Sequence, residues 1–149
     1  MNELLSIVIA YMFGSIPTAV WASKTFSGMD IRKHGSGNAG LTNVFRVLGW
    51  KPALPVVLVD LFKGIAAPYV AMELCPNNEW IPMFAGLVAI LGHSFTCMAG
   101  FKGGKGVLTA LGVFLCLAPY EAILSFSVWV AVAITTTVSY THLTLPTTD

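Results

Sequence analysis

Charge is what this sequence has least of: 10% of its 149 residues are Asp, Glu, Lys or Arg, against roughly a quarter in soluble domains. That scarcity excludes an ordinary water-soluble globule. A net charge of +1 is too small for a nucleic-acid-binding surface, so the information lies in where the few charges fall. A positive stretch ahead of the first apolar run is missing too. Met1-Asn2-Glu3 does not open like a cleavable signal peptide, and the first run is expected to stay as a span. Cysteines are few and odd in number, at Cys75, Cys97 and Cys116, and their wide spacing predicts neither a disulfide framework nor a metal site. Internal repeats are absent as well. What is present is apolar: 56% hydrophobic residues and a mean hydropathy of +0.77 predict a membrane protein.

Apolar runs fall at 4–23, 52–72, 80–98, 107–118 and 122–138. Most are long enough for a helix to cross a hydrocarbon core of about 30 Å, while 107–118 reads as a short span or a re-entrant segment. The expected fold is therefore all-α, a multi-pass transmembrane bundle of about five spans. Gly14-Ser15-Ile16-Pro17-Thr18 in the first run predicts a kink or a close helix contact, with substrate lining as the sharper alternative. Asp60 and Lys63, three residues apart, share a helical face. Ionisable groups at membrane depth are costly, so the pair is either functional or a structural fastening. His93 falls near the end of the third run, where a histidine alone says little.

Two polar, glycine-rich stretches interrupt this pattern. The first, Gly35-Ser36-Gly37-Asn38-Ala39-Gly40-Leu41-Thr42-Asn43-Val44-Phe45-Arg46, bares backbone N–H groups, adds short polar side chains and ends on a guanidinium fork, which is equipment for an anion. Gly35, Gly37 and Gly40 match G-x-G-x-x-G, but Asp30-Ile31-Arg32-Lys33-His34 upstream is no buried strand, so a dinucleotide-binding unit is rejected. Glycine N–H groups leading into a helix N-terminus bind phosphate in any fold. The second stretch, Gly100-Phe101-Lys102-Gly103-Gly104-Lys105-Gly106, resembles a Walker A loop only superficially. Ala99 stands where a glycine is needed and Gly106 where Ser or Thr would hold magnesium, so an ATPase is not expected. It reads as a phosphate-binding turn, or else as snorkelling lysines that mark one membrane face.

Lys24, Arg32, Lys33, Arg46 and Lys51 all precede the second run, and Lys102 and Lys105 follow the third. The complementary segments carry Glu3, Glu73, Glu79 and Glu121 with no Lys or Arg. The positive-inside rule then makes both glycine stretches cytoplasmic and the N-terminus extracytoplasmic.

With these residues in view, the chain resembles the bacterial acyl-phosphate:glycerol-3-phosphate acyltransferases of phospholipid synthesis. Residues 14–19 look like that family's first-helix signature, 35–46 like its first cytoplasmic motif, and Asp60-Leu61-Phe62-Lys63-Gly64 like its second-helix signature. Gly92-His93 followed by Phe101-Lys102-Gly103-Gly104-Lys105-Gly106-Val107 looks like its second cytoplasmic motif. Leu41 stands where the family usually has a small residue. The resemblance implies transfer of an acyl chain from acyl phosphate to the 1-hydroxyl of glycerol 3-phosphate, giving lysophosphatidic acid and phosphate. It implies no cofactor, no metal and no nucleic acid, membrane lipid as the surroundings, and a site on the cytoplasmic face of the bacterial inner membrane.

On that reading Ser36, Arg46, His93 and Lys105 are the catalytic candidates. Arg46 and Lys105 take the phosphate charges; Gly103, Gly104 and Gly106 form a backbone cradle; Ser36 and Asn38 orient substrate. Gly35, Gly37, Thr42, Asn43 and Lys102 complete the expected binding set. Direct attack by the glycerol hydroxyl is preferred over Ser36 as a covalent nucleophile, since a serine needs an adjacent base. Other classes that would want the same loops are a transporter or channel for a phosphorylated solute and a non-catalytic membrane subunit. Residues 1–138 are expected to form the acyltransferase domain. The threonine-rich 139–149 is expected to be an atypical tail, a sign of a fragment or frameshift lacking the family's third motif, and hence of little activity in this chain.

Overall fold

The computed structural model describes residues 1–143, and among them all regular structure is helical. Seven α-helices follow one another: α1 (Asn2–Gly14), α2 (Thr18–Ser27), α3 (Leu41–Leu48), α4 (Trp50–Leu74), α5 (Trp80–Ser94), α6 (Val107–Leu117) and α7 (Pro119–Leu143). Short 3-10 turns stand at Ile31–Lys33 and Cys97–Ala99. Of the expected tail at 139–149, α7 runs through Leu143, and 144–149 lie outside the described residues.

Among the described residues three segments are long and apolar enough to cross a membrane: Asn2–Ser27, Trp50–Leu74 and Trp80–Ala99. Helix α6, with 11 residues, reaches only about 16 Å at about 1.5 Å per residue, short of a full bilayer core. Large apolar side chains such as Leu4, Trp21, Leu58, Phe62, Phe84 and Leu87 stay exposed on the outer faces. In water such a surface would be a liability; against lipid it is the natural outside.

Helix α4 is the hub, packing against α1, α2, α3, α5 and α6. Small residues make this possible. A Cβ at Gly64 would stand 2.2 Å from the Thr109 carbonyl oxygen, and one at Gly112 would stand 2.3 Å from that of Leu61. Backbones of α4 and α6 therefore touch where a side chain would hold them apart. Gly14 does the same for α1 on α5, where a Cβ would meet the Ala89 oxygen at 2.1 Å.

The stretch at Gly14–Thr18 is more than a kink: α1 ends and α2 begins afresh on the far side of Pro17. Pro17 has no N–H to give, so the break frees carbonyls that would be costly in hydrocarbon. Local N–H groups take the Phe13 and Ile16 oxygens, and side chains from elsewhere add to this. Thr96 Oγ1 donates to the Ser15 oxygen, and Lys63 Nζ donates to the Ile16 oxygen at 2.9 Å.

Candidate functional site

The segment between α2 and α3 is held from within by one side chain. Asn43, 1% exposed, accepts the Ser36 N–H on Oδ1 at 2.9 Å. Its Nδ2 donates to the carbonyl oxygens of Ile31, His34 and Asn38, at 3.2, 2.9 and 3.1 Å. Gly35 and Gly37 turn the chain through positive φ, +59° and +74°. A Cβ at Gly35 would fall 2.3 Å from Asn43 Oδ1, so that glycine admits the amide. Asn43 thus shapes the loop, with its polar atoms engaged by backbone.

A second fastening ties this loop to the 3-10 turn Cys97–Ala99 that follows α5. The Arg32 guanidinium donates to Asp30, with Nη2–Oδ2 at 2.7 Å, and its Nη1 donates to the Ala99 oxygen at 2.6 Å. The hydrogen bond from Arg32 holds the Asp30 carboxyl well below the usual carboxylate range, and Asp30 in turn raises the guanidinium. Composition and spacing gave no sign of this tether, because its third partner is a carbonyl 67 residues away.

The second glycine stretch folds back onto α5. Gly103 N–H donates to the Ser94 oxygen at 3.1 Å and Gly104 N–H to the His93 oxygen at 3.2 Å. A Cβ at Gly103 would stand 1.8 Å from the His93 oxygen, and one at Gly104 would stand 2.4 Å from His93 Nε2. Both glycines therefore serve close packing, and both N–H groups are spent inside the protein. Gly106 has φ +71° and opens α6.

Between these parts lies a cavity of about 800 Å³. Its polar lining comes from Asn38, Thr42, Asp60, His93 and Lys105, and its apolar lining from Leu108, Leu111 and Phe114 of α6 and Ala122, Phe126 and Trp129 of α7. Glu121 and Ser125 also line it. Two helix N-termini open onto it, since Gly40, Leu41 and Thr42 begin α3 and Gly106, Val107 and Leu108 begin α6. Neither start has a side-chain cap. The first intrahelical donors are Val44, to Gly40, and Ala110, to Gly106, so the N–H groups ahead of them lack helical partners. With Lys105 beside them, these ends carry positive potential and free donors, the equipment of an anion site.

Beneath that mouth a buried polar cluster crosses the bundle. Asp60 Oδ1 receives Thr18 Oγ1 at 3.1 Å and lies 2.9 Å from Lys63 Nζ. His93 Nδ1 is 3.8 Å from the same oxygen and 3.3 Å from Thr109 Oγ1. Asp60 and Lys63 are 2% and 1% exposed. Their spacing marked them in the sequence, and Thr18 belongs to the Gly14–Thr18 stretch already singled out; Thr109, which holds His93 from α6, carried no signal in its apolar run.

The cavity thus gathers Asn38, Thr42, His93, Lys105 and Gly106 from the expected set. Ser36, Gly35, Gly37, Arg46 and Lys102 are exposed and are not part of its lining. No hydrogen bond joins the Ser36 hydroxyl to His93 or His34 among the described residues. A smaller apolar cavity of about 390 Å³ between α3 and α4 shares Leu41 and Thr42 with the main one.

Residues 4–147 match the family model described as glycerol-3-phosphate acyltransferase. A glycerol-3-phosphate acyltransferase from Synechococcus sp. (strain JA-2-3B'a(2-13)) is 44% identical over 144 residues, covering 96% of this chain and 71% of the relative. One from Chlorobaculum tepidum is 46% identical over 136 residues, covering 85% of this chain and 59% of the relative. Among solved structures, PlsY (YgiH), an integral membrane glycerol 3-phosphate acyltransferase, matches in its glycerol 3-phosphate form with a TM-score of 0.79 and 38% identity, over 90% of this chain and 66% of that one. Its lysophosphatidic acid form matches with a TM-score of 0.77. The chain spans about two thirds of the length of that solved relative. On these matches the chain belongs to the glycerol-3-phosphate acyltransferase family.

Proposed function

We propose that this chain carries the site at which an acyl group passes from acyl phosphate to the 1-hydroxyl of glycerol 3-phosphate at the cytoplasmic face of the bacterial inner membrane. One observation carries the reading: a single cavity joins an anion-binding mouth, made by Lys105 and the starts of α3 and α6, to an apolar wall from α6 and α7. Phosphate and acyl chain need those two environments side by side. The glycerol hydroxyl oxygen attacks the acyl carbonyl carbon, the new ester C–O bond forms as the bond to the phosphate oxygen breaks, and the hydroxyl proton leaves on the released phosphate. Helix N-termini and Lys105 hold the phosphate of glycerol 3-phosphate, which positions its hydroxyl for that attack.

Arg46 keeps a role in this scheme. It lies four residues after Thr42, on the same face of α3, and its exposed guanidinium has no protein partner among the described residues, so the long side chain is free to swing toward the mouth. Ser36 and Lys102 flank the approach. The positive-inside distribution supports an N-terminus outside and about five crossings, with α6 and α7 as the short and last ones. The test is product formation from radiolabelled glycerol 3-phosphate and acyl phosphate in membranes holding the chain, against uptake of the same solute into vesicles. Labelled lysophosphatidic acid is expected. Uptake without product would make the chain a transporter instead.

A further inference from the structure

Asp60 has polar groups on one oxygen only. Thr18 Oγ1, Lys63 Nζ and, farther off, His93 Nδ1 all meet Oδ1, while Oδ2 has no hydrogen-bonding partner among the described residues. Yet no buried polar side-chain atom there is left without a partner. Oδ2 therefore keeps open surface, and since Asp60 lines the cavity, that surface faces it. A carboxylate oxygen so deep, on a residue 2% exposed, is expensive unless something donates to it.

We infer that Asp60 Oδ2 is the acceptor for a hydroxyl of the glycerol 3-phosphate bound in this cavity, an inference that rests on the phosphate-site reading above. The chemistry selects the occupant. A phosphate has only acceptor oxygens and negative charge, so it is repelled from Oδ2 and drawn to Lys105 and the helix starts. A cation is not required, because Lys63 already balances Asp60 at 2.9 Å. What remains is a neutral donor, and a hydroxyl is the one this substrate carries. The two ends of the site then orient the molecule, phosphate to the mouth and hydroxyl inward to Asp60. Thr18 and Lys63 hold the carboxylate still by its other oxygen, which fixes where Oδ2 points.

The experiment is calorimetric titration of the detergent-solubilised chain with glycerol 3-phosphate and with propyl phosphate, which keeps the phosphate and lacks both hydroxyls. Wild type is expected to prefer glycerol 3-phosphate by about tenfold or more, the value of a hydrogen bond to a charged group. Asp60→Asn is expected to lower that preference. Because it strands Lys63 without a counter-charge, the double variant Asp60→Asn/Lys63→Met is measured beside it, and there the preference is expected to fall below about threefold. If wild type binds both ligands alike, or if the variants lose both in equal proportion, Oδ2 meets only water and the inference falls while the phosphate site stands. If wild type binds neither ligand, the phosphate-site reading fails first and takes this one with it.

Discussion

Asn43 Oδ1 accepts the Ser36 N–H at 2.9 Å, and through that bond a buried amide seven residues away sets the course of the loop that opens onto the cavity. The same side chain donates to three carbonyls from its other end. Removing it is therefore expected to disorganise residues 34–40 before it touches any substrate. Asn43→Ala should cost about 1–3 kcal/mol in stability, and Asn43→Asp more, because a carboxylate oxygen would then face three carbonyl oxygens. Thermal unfolding in detergent, with protease susceptibility of the loop, measures both. Wild-type melting of Asn43→Asp would contradict the assignment.

Gly103→Ala and Gly100→Ala separate packing from backbone strain. At Gly103 the added Cβ would lie 1.8 Å from the His93 oxygen, forcing the turn off α5 and breaking the bonds to Ser94 and His93. Overpacking of this kind costs about 1–3 kcal/mol. At Gly100, with φ +67°, a Cβ meets nothing within 4 Å, so only the left-handed conformation is penalised, by about 1 kcal/mol. A larger loss at Gly100 than at Gly103 would reverse the argument.

Lys105 lines the cavity and Lys102 does not. Lys105→Gln should weaken glycerol 3-phosphate binding by about 10- to 150-fold, the loss of a charge-assisted contact. Lys102→Gln should stay within about threefold, as expected for an exposed charge. Arg46→Lys should fall between them, since a point charge replaces a planar fork. Titration at low and moderate salt reads all three. Equal effects at 102 and 105 would mean that the turn contributes general positive potential rather than a contact.

Acid should act on the tether between the loop and the 3-10 turn after α5. Asp30 has its folded pKa depressed by Arg32, so its contribution is fully present above the ordinary carboxylate value of about 3.9 and is lost as pH falls through the lower folded value. The melting difference between wild type and Asp30→Asn should be constant from neutral pH down to about 5 and shrink below that. A difference that grows as pH falls would give the wrong sign.

Topology is tested by single-cysteine labelling in intact cells, in a background without Cys75, Cys97 and Cys116. An impermeant reagent should modify a cysteine at Asn77 and spare one at Ser36. The opposite pattern would invert the chain in the membrane and put the cavity mouth outside.

Much was legible from residues alone because hydrocarbon imposes so few solutions. Every backbone group must be satisfied within the segment, so long apolar runs become helices, and their ends and the placement of Lys and Arg follow from the same constraint. The runs at 52–72 and 80–98 become α4 and α5 with ends shifted by a few residues, and the two glycine stretches do flank one cavity. Residue types also marked Asp60 and Lys63, since charged groups at that depth are rare enough to stand out, whereas His93 was marked only through the family resemblance.

Which polar atoms face substrate and which hold the fold was decided only in three dimensions. Asn43, Gly103 and Gly104 have the residue types of an anion site, yet their donors are taken by carbonyls that folding brings alongside. Thr109 looks like helix filler until α5 and α6 pack and its hydroxyl lands beside His93, and the Gly14–Thr18 stretch gives no hint that Thr18 will reach Asp60. Hydrogen bonds of this kind depend on which groups are neighbours across tens of residues, and a one-dimensional pattern records type and spacing but not that proximity. The break at Pro17 shows both halves at once: proline dictates that the helix is interrupted, and only the packed bundle decides that Lys63 reaches the Ile16 carbonyl there.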